Sequence, residues 1–94
     1  MRESAIEKYL HQQVRKAGGD TRKWVCPGRR GVPDRIVMWP PRVTQNDPQT
    51  DFVETKAPDG RLEPWQKREH KRLRDMGFVV RVIWTKEQVD SYVA

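Results

Sequence analysis

The sequence predicts one small α/β domain over residues 1–94, a modest sheet of about four strands with helices against it, in the order αβββαβα. Three observations carry this. Apolar positions near the start recur at helical spacing, two apolar runs in the middle are separated by a polar excursion, and residues 78–84 are almost continuously apolar and β-branched. Ninety-four residues have too little interior to build two domains, each with a core of its own.

From Ser4 to Ala17, Ile6, Leu10, Val14 and Ala17 follow one another at spacings of four, four and three, which places them on one helical face; Gly18-Gly19 ends the helix. Ser4 and Glu7 also have capping-box spacing, in which the Ser side chain accepts a backbone N–H and the Glu reaches back to the cap. Thr21 to Cys26, with Trp24 and Val25, reads as a short strand stopped by Pro27-Gly28. The loop Gly28-Arg29-Arg30-Gly31-Val32-Pro33 follows, its glycines allowing close approach of a ligand and its paired arginines suited to phosphate oxygens or simply to solvent.

Asp34 to Trp39 and Asp51 to Thr55 read as two successive strands, with Pro40 to Thr50 a solvated loop between them. A hairpin pairing Trp39 with Asp51 puts Ile36 opposite Glu54 and Asp34 opposite Lys56, so that Asp34, Glu54 and Lys56 share a face; a slip of one residue would move Asp34 to the other side. Ala57-Pro58-Asp59-Gly60 is a turn by composition. A second helix begins near Glu63 with Pro64 at its first position, uses Trp65, Leu73 and Met76 as its apolar face, and closes at Gly77. Its other faces, crowded with Lys67, Arg68, His70, Lys71, Arg72 and Arg74, are solvated or lie along a nucleic-acid backbone. Phe78 to Trp84 has the pattern of a strand covered on both faces, and Thr85 with Gln88 opens a last helix to about Val93.

Nineteen Lys and Arg against thirteen Asp and Glu give a net charge of +6, a balance that favours a polyanionic partner such as nucleic acid. Cys26 is alone, which excludes an intramolecular disulfide and a cysteine-rich zinc site and fits a reducing interior. No apolar run approaches the roughly 20 residues of a membrane helix. The expectation is a soluble, intracellular, cytoplasmic protein, or one made inside a host cell.

Glu54-Thr55-Lys56 puts an acid and a base on one side of a strand, because alternate side chains share a face. With Asp34, and Glu7 if it is not only a helix cap, this is the residue set of a divalent-metal site that cleaves phosphodiesters. Carboxylate oxygens hold the hard ion, and Lys56 orients the attacking water or stabilises charge in the transition state. A glycosidase pair of Asp34 and Glu54 would leave Lys56 without a role. Ser4 and Ser91 have no placed histidine, and His11 and His70 read as surface helix residues.

Gly31-Val32-Pro33-Asp34, the stretch from Glu54-Thr55-Lys56-Ala57-Pro58-Asp59-Gly60-Arg61-Leu62, and Trp65-Gln66 together resemble the VRR-NUC family of the PD-(D/E)XK nuclease superfamily. The resemblance covers almost the whole chain. It implies a restriction-endonuclease-like core with a mixed sheet, and a metal-dependent DNA endonuclease using Mg²⁺ or Mn²⁺. Asp34, Glu54, the backbone carbonyl of Thr55 and Glu7 would be the metal ligands, Lys56 the base or water-positioning group, and Gln66 a polar helix residue at the site. An aliphatic residue is commoner in the family where Thr55 stands. The chain looks like the stand-alone viral and bacterial-type members, which implies a homodimer acting on branched DNA such as four-way junctions; a C2 pair would double the basic surface. Arg29, Arg30, Arg61, Lys67 and Lys71 are the candidate DNA contacts. The alternatives are a catalytically silent nucleic-acid-binding module of the same fold and a dimerisation or docking subunit.

Overall fold

The computed structural model describes residues 2–94. Its elements are α1 (Glu3–Lys16), β1 (Asp20–Lys23), β2 (Arg35–Trp39), α2 (Pro41–Thr44), β3 (Gln49–Thr55), α3 (Pro64–Asp75), β4 (Val79–Ile83) and α4 (Lys86–Val93). The four strands form one mixed sheet in the order β1-β2-β3-β4: the first three are antiparallel neighbours and β4 runs parallel to β3. Two parallel strands cannot be joined by a tight turn, and α3 makes the crossover.

The two faces of the sheet have separate cores. Ile6, Leu10 and Val14 of α1 pack with Val37, Trp39, Val53, Ile83 and Val89, so α1 and α4 cover one side. Phe52, Leu73 and Val80, with Trp24 and Ile36, form the smaller cluster under α3 on the other. Burying one Val, Leu, Ile or Phe side chain contributes about 1.5–3 kcal/mol, so the Ile6–Leu10–Val14 stripe is the main force seating α1. Asp51 through Thr55 are all buried, which makes β3 the covered strand. β4 is an edge strand, yet both its faces are covered as expected, Val80 packing in the cluster under α3 and Ile83 in the one under α1 and α4, with Arg81 exposed.

Four local expectations are corrected. The helix starts one residue early, at Glu3, with Arg2 as N-cap and no side-chain cap bond, so the Ser4–Glu7 capping box does not form. The loop at 40–50 contains a turn of helix, α2, which takes up chain and lets β3 begin at Gln49. Consequently Trp39 pairs with Gln49 and Ile36 with Phe52, two residues from the expected register. An even slip leaves every side chain on its expected face, because strand side chains alternate with period two. On α3, Met76 is exposed while Glu69 and His70 are buried beside Leu73. The opening of α4 matches expectation: Thr85 Oγ1 accepts the N–H of Gln88 at 3.1 Å.

Candidate active site

At the end of the sheet where β2 starts and β3 stops, three acids converge. Glu3, Asp34 and Glu54 each offer a carboxylate oxygen, and these oxygens all lie within 4.8 Å of one another. Glu3 is the first residue of α1, Asp34 immediately precedes β2, and Glu54 is the penultimate residue of β3. The observed register carries Asp34 to the rung opposite Glu54 when the β2–β3 ladder is extended by one residue. The even slip therefore brings the two acids closer than the expected pairing of Asp34 with Lys56.

Asp34 is fixed by Thr55, whose N–H donates to Oδ2 at 2.9 Å and whose hydroxyl donates to the same oxygen at 3.2 Å. Glu54 is 2% exposed, and its Oε2 accepts from Gln66 Nε2 at 3.3 Å and lies 3.9 Å from Lys56 Nζ. Gln66 also accepts, through Oε1, the backbone N–H of Glu63 at 2.9 Å, so the start of α3 and the site share one side chain. Glu54 Oε1 has no hydrogen-bond partner among the described residues, and 3.7 Å away stands Nε2 of the fully buried His70.

Burial pushes the Glu54 carboxyl above the usual carboxylate range; His70 and Lys56 pull it back, and Asp34 pushes it further up. Glu3, though exposed, is also raised, first by partial loss of solvent around its carboxyl and then by the charge of Asp34. Two like charges about 4 Å apart repel by about 1 kcal/mol in bulk water and about 4 kcal/mol at an effective dielectric of about 20. Three clustered carboxylates therefore favour a cation between them. All three donors are hard carboxylate oxygens, a set that fits Mg²⁺ or Mn²⁺ better than a softer metal.

The acid on α1 that joins this cluster is Glu3 and not Glu7. Glu7 Oε2 instead accepts from Arg35 Nε at 2.9 Å and lies 3.9 Å from Lys23 Nζ. Arg35 is on β2, on the face that meets α1, and a charge-assisted pair there satisfies Glu7 better than a helix cap would.

The proposed DNA contacts have different surroundings. Arg29 makes two hydrogen bonds to Glu69 Oε1, at 2.9 and 2.7 Å, and Arg72 reaches the same oxygen at 3.1 Å. Arg30 stacks on Trp65, its guanidinium carbon 3.7 Å from the ring centroid. Gly31 has φ 91°, and a Cβ there would stand 2.6 Å from the Trp65 carbonyl oxygen, so the arginine loop is held tightly on α3. Lys71 pairs with Asp75 at 2.7 Å, while Arg61 and Lys67 are exposed.

Two residues at the site escape a reading of the sequence. Glu3 lies four residues, about one turn, before Glu7, and a helix start one residue earlier would have exposed it as a second acid on that face. His70 lies four residues after Gln66, hence on the same face of α3, and that spacing was its one signal.

The VRR-NUC domain model matches residues 3–86. A protein of Acyrthosiphon pisum secondary endosymbiont phage 1, named "Putative nuclease p44", is 48% identical over 83 residues, covering 88% of this chain and 83% of its own. A solved VRR_NUC domain superposes with a TM-score of 0.82 at 35% identity, covering 97% of this chain and 92% of that one. Matched along nearly its full length by the family model and by this fold, and carrying the clustered acids and Lys56 at the end of the sheet, the chain belongs to the VRR-NUC family of nuclease domains.

Proposed function

We propose that the protein is a divalent-metal-dependent DNA endonuclease, with Mg²⁺ or Mn²⁺ held by Asp34, Glu54 and Glu3 and by the backbone carbonyl of Thr55. The observation that carries this reading is the convergence of three carboxylates, one of them the buried Glu54, with Lys56 at one end of the sheet. Glu7 is proposed as the anchor of Arg35 and no longer as a ligand, since its carboxylate is already paired.

When bound, the divalent ion neutralises charge on the phosphoryl oxygens and acidifies water. The chain's own groups do the rest. Asp34, fixed by Thr55, and Glu54, fixed by Gln66, present oxygens in a set geometry that needs little reorganisation. Lys56 is only 14% exposed, so its ammonium acts in a medium less screened than water, where it orients the attacking water and stabilises negative charge as the phosphorus–oxygen bond breaks. Arg61 and Lys67 contact DNA phosphates directly, and Arg30 and Lys71 border the same surface; Arg29 chiefly holds the loop on α3.

Branched DNA such as a four-way junction is the proposed substrate, cut by a homodimer that offers two sites. The net charge of +6 supports a polyanionic substrate, and the phage relative supports a protein acting inside an infected cell. Purified protein incubated with labelled junction, flap and duplex DNA should cleave in Mg²⁺ or Mn²⁺, with the junction preferred. It should stop in EDTA, and Glu54→Ala and Lys56→Ala should be inactive. Wild-type protein that binds these DNAs and cuts none would leave the silent binding module as the function. Light scattering that gives one copy per particle, with and without DNA, would remove the homodimer.

A further inference from the structure

We propose that His70 is a positioning residue for Glu54: through Nε2 it fixes the Oε1 edge of the carboxylate, as Gln66 fixes the Oε2 edge. This rests on the reading of Glu54 as a metal ligand. His70 is fully buried, and neither ring nitrogen has a hydrogen-bond partner among the described residues. Its Nε2 lies 3.7 Å from Glu54 Oε1, just beyond a hydrogen bond, and that oxygen is likewise partnerless. Burying an imidazole N–H and a carboxylate oxygen unsatisfied is costly, and directing Nε2–H at Oε1 satisfies that donor and that acceptor together.

The architecture supports the assignment. Gln66 and His70 are four residues apart on α3, so one helical face sends two side chains to the two oxygens of a single carboxylate. Leu73, further along the helix, anchors it in the core beside Phe52 and Val80. A histidine present only for its volume would not need to face the one orphaned oxygen of the acidic cluster. Groups that orient a ligating carboxylate from outside the coordination sphere commonly set metal affinity.

The decisive measurement is the tautomer of His70 in folded wild-type protein, read by long-range ¹H–¹⁵N correlation. The proton is expected on Nε2, and the Nε2 resonance should move in Glu54→Gln and on addition of Mg²⁺. A proton on Nδ1 alone, or an Nε2 resonance indifferent to Glu54→Gln, overturns the inference. A second measurement is Mn²⁺ affinity by calorimetry. His70→Leu should weaken it about 10–100-fold, and His70→Gln, which keeps a donor, should restore part of the loss. A folded His70→Leu that binds Mn²⁺ as the wild type does also overturns it; if His70→Leu does not fold, the tautomer decides. These readouts need no cleavage, so failure here is distinct from a wild type that cuts no DNA.

Discussion

The exchange of roles between Glu3 and Glu7 gives the sharpest test of the site. Glu7 and Arg35 are 17% and 15% exposed and meet at 2.9 Å, so Glu7→Ala leaves a largely buried guanidinium without its carboxylate. Leaving a buried partner unsatisfied costs about 1–3 kcal/mol, and more for a charged group. Each 1 kcal/mol moves Tm by about 4–8 °C in a domain of this size, so a fall on the order of 10 °C is expected. Glu3 is exposed and beside like charge, so Glu3→Gln should leave Tm unchanged or slightly raised. Its loss should be felt by the ion instead. At about 4 Å in bulk water a unit charge contributes about 1 kcal/mol, or about 2 kcal/mol toward a divalent ion. That is about 30-fold in affinity. Thermal unfolding by circular dichroism and Mn²⁺ titration by calorimetry give the two numbers for each variant. If Glu7→Ala keeps its Tm and loses more Mn²⁺ affinity than Glu3→Gln, the assignment of the two acids is wrong.

Tyr92, whose hydroxyl burial and its bond to Asp51 push well above the ordinary tyrosine range, makes stability fall at alkaline pH. Below about pH 10 both states keep the proton; above it the unfolded chain loses its proton first, so urea midpoints should drop faster for wild type than for Tyr92→Phe. Glu69 is held below the usual carboxylate range chiefly by its hydrogen bond from Arg29, with Arg72 adding to it. Its contribution is present above pH 4.5 and lost as pH falls through the lowered folded value, a slope that Glu69→Gln should remove while speeding amide exchange at Arg29 and Arg30. Gly31→Ala should destabilise more than Gly28→Ala in thermal unfolding: both have positive φ, but only at position 31 does a Cβ meet backbone, at 2.6 Å, whereas nothing lies within 4 Å at position 28. Equal losses would mean that strain alone matters and that the loop is not clamped on α3.

Much of the fold was legible because periodicity reports burial directly. Ile6, Leu10 and Val14 could only be one face of a helix, and they are the buried face of α1. Pro64 at the first helical position and Gly77 beyond the last turn marked α3 for reasons of backbone chemistry, and α3 ends at Asp75 with Met76 as its cap. The β2–β3 register was less legible, since α2, with Gln45 in the left-handed conformation, absorbs part of the loop. Alternation along the strands nevertheless protected the face assignment of Asp34 and Glu54 from an even slip. His70 was misread because charge density around it on α3 suggested solvent, while its burial depends on a strand some sixteen residues earlier in the chain.

The sequence by itself determined which residue types were available: the acid and base of Glu54 and Lys56, the acid after Pro33, the helix-opening Pro64 followed by Gln66, and a basic balance. Those follow from local spacing, in which each residue's face is set by its neighbours. Only the tertiary structure decided that Glu3 joins the acidic cluster, that Glu7 serves Arg35, and that His70 faces the free oxygen of Glu54. Each of these is a choice among partners distant in sequence. Such choices depend on where α1 and α3 dock against the sheet, and docking is settled by the two hydrophobic cores together.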